Sequence, residues 1–248
     1  MSAPPAPFPC PTLLFLPGTL CDARLWKAQQ QALSAQWPCA VVDYEFADSI
    51  SAMATNALAQ ITGLVIPIGL SMGGMVALEI WRQAAERVAA IALFDTDCGA
   101  DTIARRMNRD TQILSAVHGE FHEMVKTQLV PAYFSIEHAT DGAVNQSQRK
   151  TVVAMALDLG VAAFAAQITA LATRADSWPL LDTIRVPTLI ACGANDRICP
   201  PESHRRMAAL ISRATFMEIS GAGHMPPLEQ ADTTTLVLQK WLDGLTLP

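Results

Sequence analysis

The chain has 248 residues, 51% of them apolar and only 16% charged, with a formal net charge of −6. That length fits one α/β domain with room for an insertion and a sizeable core, and an acidic chain without a Lys/Arg stripe excludes nucleic acid as a partner. Six scattered cysteines, Cys10, Cys21, Cys39, Cys98, Cys192 and Cys199, lack C-x-x-C spacing and read as reduced thiols of a cytoplasmic protein.

Residues 1 to 11 form a proline-rich arm with neither the basic nor the apolar region of a signal peptide. Thr12–Leu16 is a continuous apolar run, as expected of a strand buried on both faces. It runs into Pro17-Gly18-Thr19-Leu20-Cys21-Asp22, and Asp22 is placed to cap a helix over Ala23–Ala35. Ala40–Tyr44 reads as the next strand and Ser49–Ile61 as a helix. Leu64–Ile68 is a third strand; it enters Gly69-Leu70-Ser71-Met72-Gly73-Gly74, and a helical pattern to Arg87 leaves it. Val88–Phe94 is a fourth strand. Strands and helices alternating at this spacing imply a parallel sheet, with chemistry beyond the carboxyl ends of the strands.

From Cys98 to Ser177 the rhythm changes to four helical stretches, Ile103–Val117, Phe121–Val130, Gln146–Leu159 and Ala162–Thr173. The last two are almost wholly apolar and need cover on all sides, which predicts a helical lid whose inner face lines an apolar pocket. Val152–Ala172 carries Asp158, Gly160 and Gln167, which argues against a membrane span. Arg185–Cys192 and Ala214–Ile219 resume the strands, with a helix over Glu202–Ile211 between them and a closing helix over Leu228–Leu242.

Strand, G-x-S-x-G, helix is the context of a nucleophile elbow, in which a strained turn holds a serine hydroxyl out above the sheet. A serine needs a base in contact with it, and the base needs an orienting carboxylate. Of the five histidines only His224 follows a strand; His118, His122 and His138 fall in the insertion and His204 on a helix face. Asp196, in the turn after the fifth strand, follows the order Ser…Asp…His; Asp95 and Asp97 compete for the role. The oxyanion hole needs two amides: Met72, and Thr19 in the first loop with Leu20 as fallback. His118 and His122 lack the His-Glu-x-x-His order of zinc peptidases, Asp95, Asp97 and Asp101 read as caps of the first insertion helix, and there is no G-x-G-x-x-G. No metal and no cofactor are expected.

Four ordered pieces, Leu16-Pro17-Gly18-Thr19 with Trp26, Gly69–Gly74, Asp182–Leu189 with Gly193-Ala194-Asn195-Asp196, and Gly221-Ala222-Gly223-His224-Met225 with Glu229, span nearly all of the chain outside the insertion. In these the chain resembles α/β-hydrolases of the small, cap-bearing bacterial branch that holds carboxylesterases, pimeloyl-carrier-protein methyl ester esterases, 3-oxoadipate enol-lactonases and cofactor-free haloperoxidases. The resemblance implies an α/β-hydrolase fold: a mostly parallel sheet of about six or more strands with helices on both faces, residues 1–97 and 178–248 as core and 98–177 as an inserted four-helix cap. It also implies Ser71 as nucleophile, His224 as base, Asp196 as its orienter and the Thr19 and Met72 amides as oxyanion hole. The expected reaction is hydrolysis of a small-molecule carboxylic ester or lactone of a largely apolar acid. C–C hydrolysis, lyase chemistry or perhydrolysis on the same triad, and a non-catalytic ligand-binding module, are the alternatives. The family's usual His-Gly is Pro17-Gly18 here, and its Asp-x-x-Gly-x-Gly is replaced by Asp43-Tyr44-Glu45-Phe46-Ala47-Asp48.

Overall fold

The computed structural model describes residues 10–135 and 142–246, without the side chains of 142–145. The arm before Cys10 and His138 lie outside the described residues. The elements run β1 (Thr12–Leu16), α1 (Lys27–Leu33), β2 (Cys39–Val41), α2 (Ile50–Ala59), β3 (Val65–Leu70), α3 (Met72–Ala84), β4 (Ile91–Phe94), α4 (Ile103–Ser115), α5 (Phe121–Met124), α6 (Val130–Tyr133), α7 (Gly142–Thr173), β5 (Thr188–Gly193), α8 (Pro201–Leu210), β6 (Ala214–Ile219), α9 (Pro226–Glu229) and α10 (Ala231–Asp243). Six strands form one sheet in the order β2-β1-β3-β4-β5-β6, every neighbouring pair parallel.

The apolar runs decide this arrangement. β1, β3, β4 and β5 are buried along nearly their whole length, so each must be covered on both faces. Right-handed crossovers supply the cover. The chain steps one way from β1 to β2 and then reverses to reach β3 and β4, which puts α1 on one face, packed on α10, and α2 and α3 on the other, packed on each other. The reversal leaves a crevice beyond the carboxyl ends of β1 and β3, the switch point where open α/β sheets bind ligands.

β2 is shorter than the alternating pattern predicts: Asp43 Oδ1 accepts from the Glu45 amide and turns the chain out of the sheet. Tyr44 is thereby buried, and its hydroxyl donates to Pro17 O at 3.1 Å, bracing the first loop. The closing helix is two helices, because Gln230 (φ −135°, ψ 56°) is non-helical between α9 and α10.

Between β4 and β5 the chain is helical, as predicted, with different breaks. Gly119 takes φ 98° and the turns on either side of α5 are widened, so the second predicted stretch divides into α5 and α6. Gly160 (φ 78°, ψ −178°) breaks α7 where the gap between the third and fourth stretches was expected. By length and composition Gln146–Thr173 is apolar enough to cross a membrane, but neither part on either side of Gly160 reaches the ~20 residues that a span needs.

Candidate active site

The turn between β3 and α3 is built from what glycine permits. Ser71 sits at φ 55° and ψ −116°, in the region that L-residues avoid. A Cβ on Gly69 would fall 2.2 Å from Gly73 O, and one on Gly73 would fall 2.0 Å from Leu16 O, so the loops after β1 and β3 close up only without side chains there. The Ser71 amide donates to Phe94 O (2.9 Å) and its carbonyl accepts from Thr96 Oγ1 (2.6 Å), which ties the turn to the end of β4.

The hydroxyl meets the loop after β6. Ser71 Oγ is 2.9 Å from His224 Nε2, and His224 Nδ1 is 2.8 Å from Asp196 Oδ2, with both His224 and Asp196 buried. Three residues 25 or more positions apart in sequence, from three strand ends, thus form one continuous hydrogen-bonded line. Nδ1 facing a carboxylate must carry hydrogen, which leaves Nε2 to accept from Ser71. Asp196 Oδ1 accepts from the Ile198 and Cys199 amides (2.8 and 3.1 Å). Burial alone would raise this carboxyl; His224 and the two amides outweigh it and hold it below the usual range.

Several supports have roles that the sequence does not reveal. Glu229 receives three amides: Gly223 (2.9 Å) and Met225 (3.0 Å), on either side of His224, at Oε1, and Ser135 (3.1 Å) at Oε2. The His224 amide donates to Tyr133 O (2.8 Å), and the Tyr133 ring packs on the imidazole at 5.7 Å. His204, predicted only as a helix-face residue, is fully buried: its Nε2 accepts from the Thr96 amide (2.9 Å) and Nδ1 faces Pro200 O (3.2 Å). Burial lowers its basicity, so a neutral ring joins the loop after β4 to the loop that carries Asp196.

The rival acids part ways. Asp97 and Asp101 pair with Arg105, Arg109 and Arg174, and Thr102, not an aspartate, caps α4 by accepting from the Arg105 amide. Asp95, wholly buried, accepts from the Gly193 amide at Oδ1 (2.8 Å), while Oδ2 is reached by no donor among the described residues. Burial and the neighbouring Asp196 charge push its carboxyl well above the usual range, so Asp95 is a protonated acid beside a carboxylate. Because its folded value is raised, its stabilising contribution is complete below the unfolded value of ~3.9 and declines as pH rises towards the folded one, by up to about 1.4 kcal/mol per pH unit. Asp95→Asn can keep the Gly193 amide at its side-chain oxygen and cannot ionise. The Tm of the variant relative to wild type should therefore climb as pH rises above about 4 and level off once pH passes the raised folded value; a difference that does not change with pH would show that Asp95 is not held protonated.

The amides assigned to the oxyanion hole are at the same edge. Met72 begins α3, where the N–H groups of the first turn have no intrahelical acceptor. Thr19 lines the same cavity as Ser71 and His224. The fallback, Leu20, is engaged elsewhere: its amide donates to Gln167 Oε1 of α7 at 2.8 Å. Cys21 and Cys199, near the site, are buried thiols; burial raises Cys21 to about 12 and Cys199 well above the usual thiol range. Asp196, Cys199 and His224 offer three ligand atoms within 4.8 Å of one another, but two of them already bond to each other and the third is held as a thiol, so the trio does not have the chemistry of a metal site. His118 and His122 are exposed.

The cavity over Ser71 measures about 310 Å³. Met75, Leu129, Phe164, Ile168 and Leu171 are its main apolar lining. Contrary to the expectation of an apolar lining, polar and cationic side chains line the cavity too: Arg105, Asn108, Arg109 and Gln112 of α4, with Arg174.

A match to the alpha/beta hydrolase family runs from residue 13 to residue 235. The chain belongs to the alpha/beta hydrolase family. Among relatives within this family, a pimeloyl-[acyl-carrier protein] methyl ester esterase of Neisseria meningitidis serogroup B is 26% identical over 237 residues, covering 86% of this chain and 85% of its own. A proline iminopeptidase of Lactobacillus helveticus is 38% identical over only 63 residues, 25% of this chain and 21% of its own, so the chain spans about a fifth of that relative. Among solved alpha/beta hydrolase structures, a thermophilic esterase from Thermogutta terrifontis with malate bound superposes with a TM-score of 0.84 at 28% identity, covering 95% of this chain and 90% of that one.

Proposed function

We propose that this protein is a serine hydrolase that cleaves a small-molecule carboxylic ester or lactone through an acyl-enzyme. The observation that carries the reading is the unbroken line from Ser71 Oγ through His224 to Asp196, at 2.9 and 2.8 Å. His224 Nε2 removes the Ser71 proton as Oγ attacks the carbonyl carbon, and Asp196 stabilises the imidazolium that forms. The carbonyl oxygen becomes an oxyanion held by the Thr19 and Met72 amides. The intermediate collapses, His224 gives its proton to the leaving alkoxide, and the alcohol departs. Water enters, His224 deprotonates it, and a second tetrahedral intermediate releases the acid and restores Ser71. Residues 98–177 act as the cap over this site. The esterase names among the relatives agree with the chemistry, and a cytoplasmic setting fits six free thiols.

A fluorophosphonate tests the reading directly, since it reacts with an activated serine and not with an ordinary hydroxyl. One covalent label per chain, on the peptide that holds Ser71, is expected, together with loss of activity towards aryl esters. Labelling of another residue, or none alongside undiminished ester turnover, would sink it.

A further inference from the structure

α4 buries none of its residues, and its apolar stripe lies in solvent. Ile103, Met107 and Leu114 lie along one stripe and are 78%, 66% and 58% exposed, whereas Arg105, Asn108, Arg109 and Gln112, at i, i+3, i+4 and i+7 on the opposite face, line the cavity above Ser71. Burying apolar groups and hydrating polar ones would favour the reverse orientation.

The inward face also carries unmatched charge. Asp101, whose side chain is fully buried, binds Arg109 through Nε and Arg174 through Nη1 (2.7 Å). Asp97 binds Arg105 Nη1 (3.0 Å) and lies 3.6 Å from Arg174. Arg174 is further fixed by donating to Gly99 O and Leu171 O, each at 2.8 Å. Three guanidinium groups thus face two carboxylates. Both Nη groups of Arg109, and Nε and Nη2 of Arg105, have no acceptor among the described residues. Both arginines line the same cavity as Ser71 and His224. In a chain of net charge −6 this is a local cationic pocket.

We propose that Arg109 and Arg105 form an anion subsite of the cap, which receives a carboxylate carried by the substrate away from the ester that Ser71 attacks. The inference rests on the ester-hydrolysing reading and names the substrate class: esters bearing a second, free carboxylate. A carboxylate fits because two planar guanidinium forks present paired N–H groups, and the apolar side chains that line the same cavity accept the carbon chain between the two ends. Asp101 and Arg174 act beneath as the brace that fixes the angle of Arg109.

The test has two arms. In the first, kcat/KM is measured for monomethyl esters of α,ω-dicarboxylic acids of increasing length against methyl esters of monocarboxylic acids of the same length, and for esters of hydroxy acids against those of the matching alcohols, which separates a carboxylate on the acyl side from one on the alcohol side. At its best length the anionic member of one series should be preferred by about tenfold to a hundredfold, and Arg109→Gln should collapse that ratio through KM. Arg105→Gln, which leaves Asp101 paired with Arg109 and Arg174, should lower it as well and serves if Arg109→Gln does not fold. In the second arm, free glutarate should raise the Tm of wild type, and by less in either variant, at fixed ionic strength. Neutral esters favoured in both series, or ratios and Tm shifts unchanged in both variants, would overturn the subsite and leave ester hydrolysis standing. Failure of every ester together with no label on Ser71 would overturn the hydrolase reading instead, and the glutarate shift would then still decide whether the anion site exists.

Discussion

Ser71→Ala should reduce kcat for any ester substrate by about 10⁵- to 10⁶-fold, the scale seen when the nucleophile of such a unit is removed. Its fold should be intact. The hydrogen bonds that hold the turn, Ser71 N to Phe94 O, Thr96 Oγ1 to Ser71 O and Gly74 N to Ser71 O, all use the backbone, and alanine at φ 55° bears the same Cβ strain as serine. Circular dichroism and Tm should match wild type while acyl-enzyme formation, read as a burst of released alcohol, disappears. What remains should resemble an uncatalysed rate aided by the Thr19 and Met72 amides and substrate binding alone. Retention of more than a few per cent of wild-type kcat would mean that the serine is not the attacking group and that His224 acts on water or on a substrate proton.

Asp196→Asn should cost about 10⁴-fold in kcat, with a smaller change in KM. Asparagine preserves the shape and its oxygen can keep the Ile198 and Cys199 amides. Its amide nitrogen, however, presents hydrogen to His224 Nδ1, which reverses the tautomer and leaves Nε2 with a hydrogen where Ser71 needs an acceptor. Fluorophosphonate labelling of Ser71 in this variant should slow by a comparable factor and still go to completion, in contrast to Ser71→Ala, which cannot be labelled there at all. Labelling at the wild-type rate would show that the carboxylate does not orient the base.

The strands and the order of Ser71, Asp196 and His224 are legible in the sequence for a shared reason. Strands buried on both faces must be apolar runs, and a parallel sheet brings all their carboxyl ends to one edge, so small loop motifs read in order become neighbours in space. Asp95, Asp97 and Asp196 could not be separated by local pattern, because each follows a strand; which one faces His224 depends on loop geometry after β4 and β5. Glu229 was visible only as a residue of a matching segment: its work is to gather amides from two loops far apart in the chain, and neither loop marks it. The periodicity of residues 103–115 predicts a two-faced helix but not which face lines the cavity, and in α4 it is the polar one.

The attachment of α6 to the His224 loop has a mechanical consequence. Tyr133 O holds the His224 amide, Ser135 N holds Glu229, and a Cβ on Gly223 would lie 2.6 Å from Ser135 N, so the exit of α6 and the loop of the base are in direct backbone contact. At the other end of the segment, Arg174 is bonded to Gly99 O and Ser177 N to Cys98 O, which ties the two chain crossings to each other. Displacing α6 from this loop would therefore cost the bond from the His224 amide to Tyr133 O and the bond from the Ser135 amide to Glu229, so the seating of α6 and the position of the imidazole are set by the same backbone contacts.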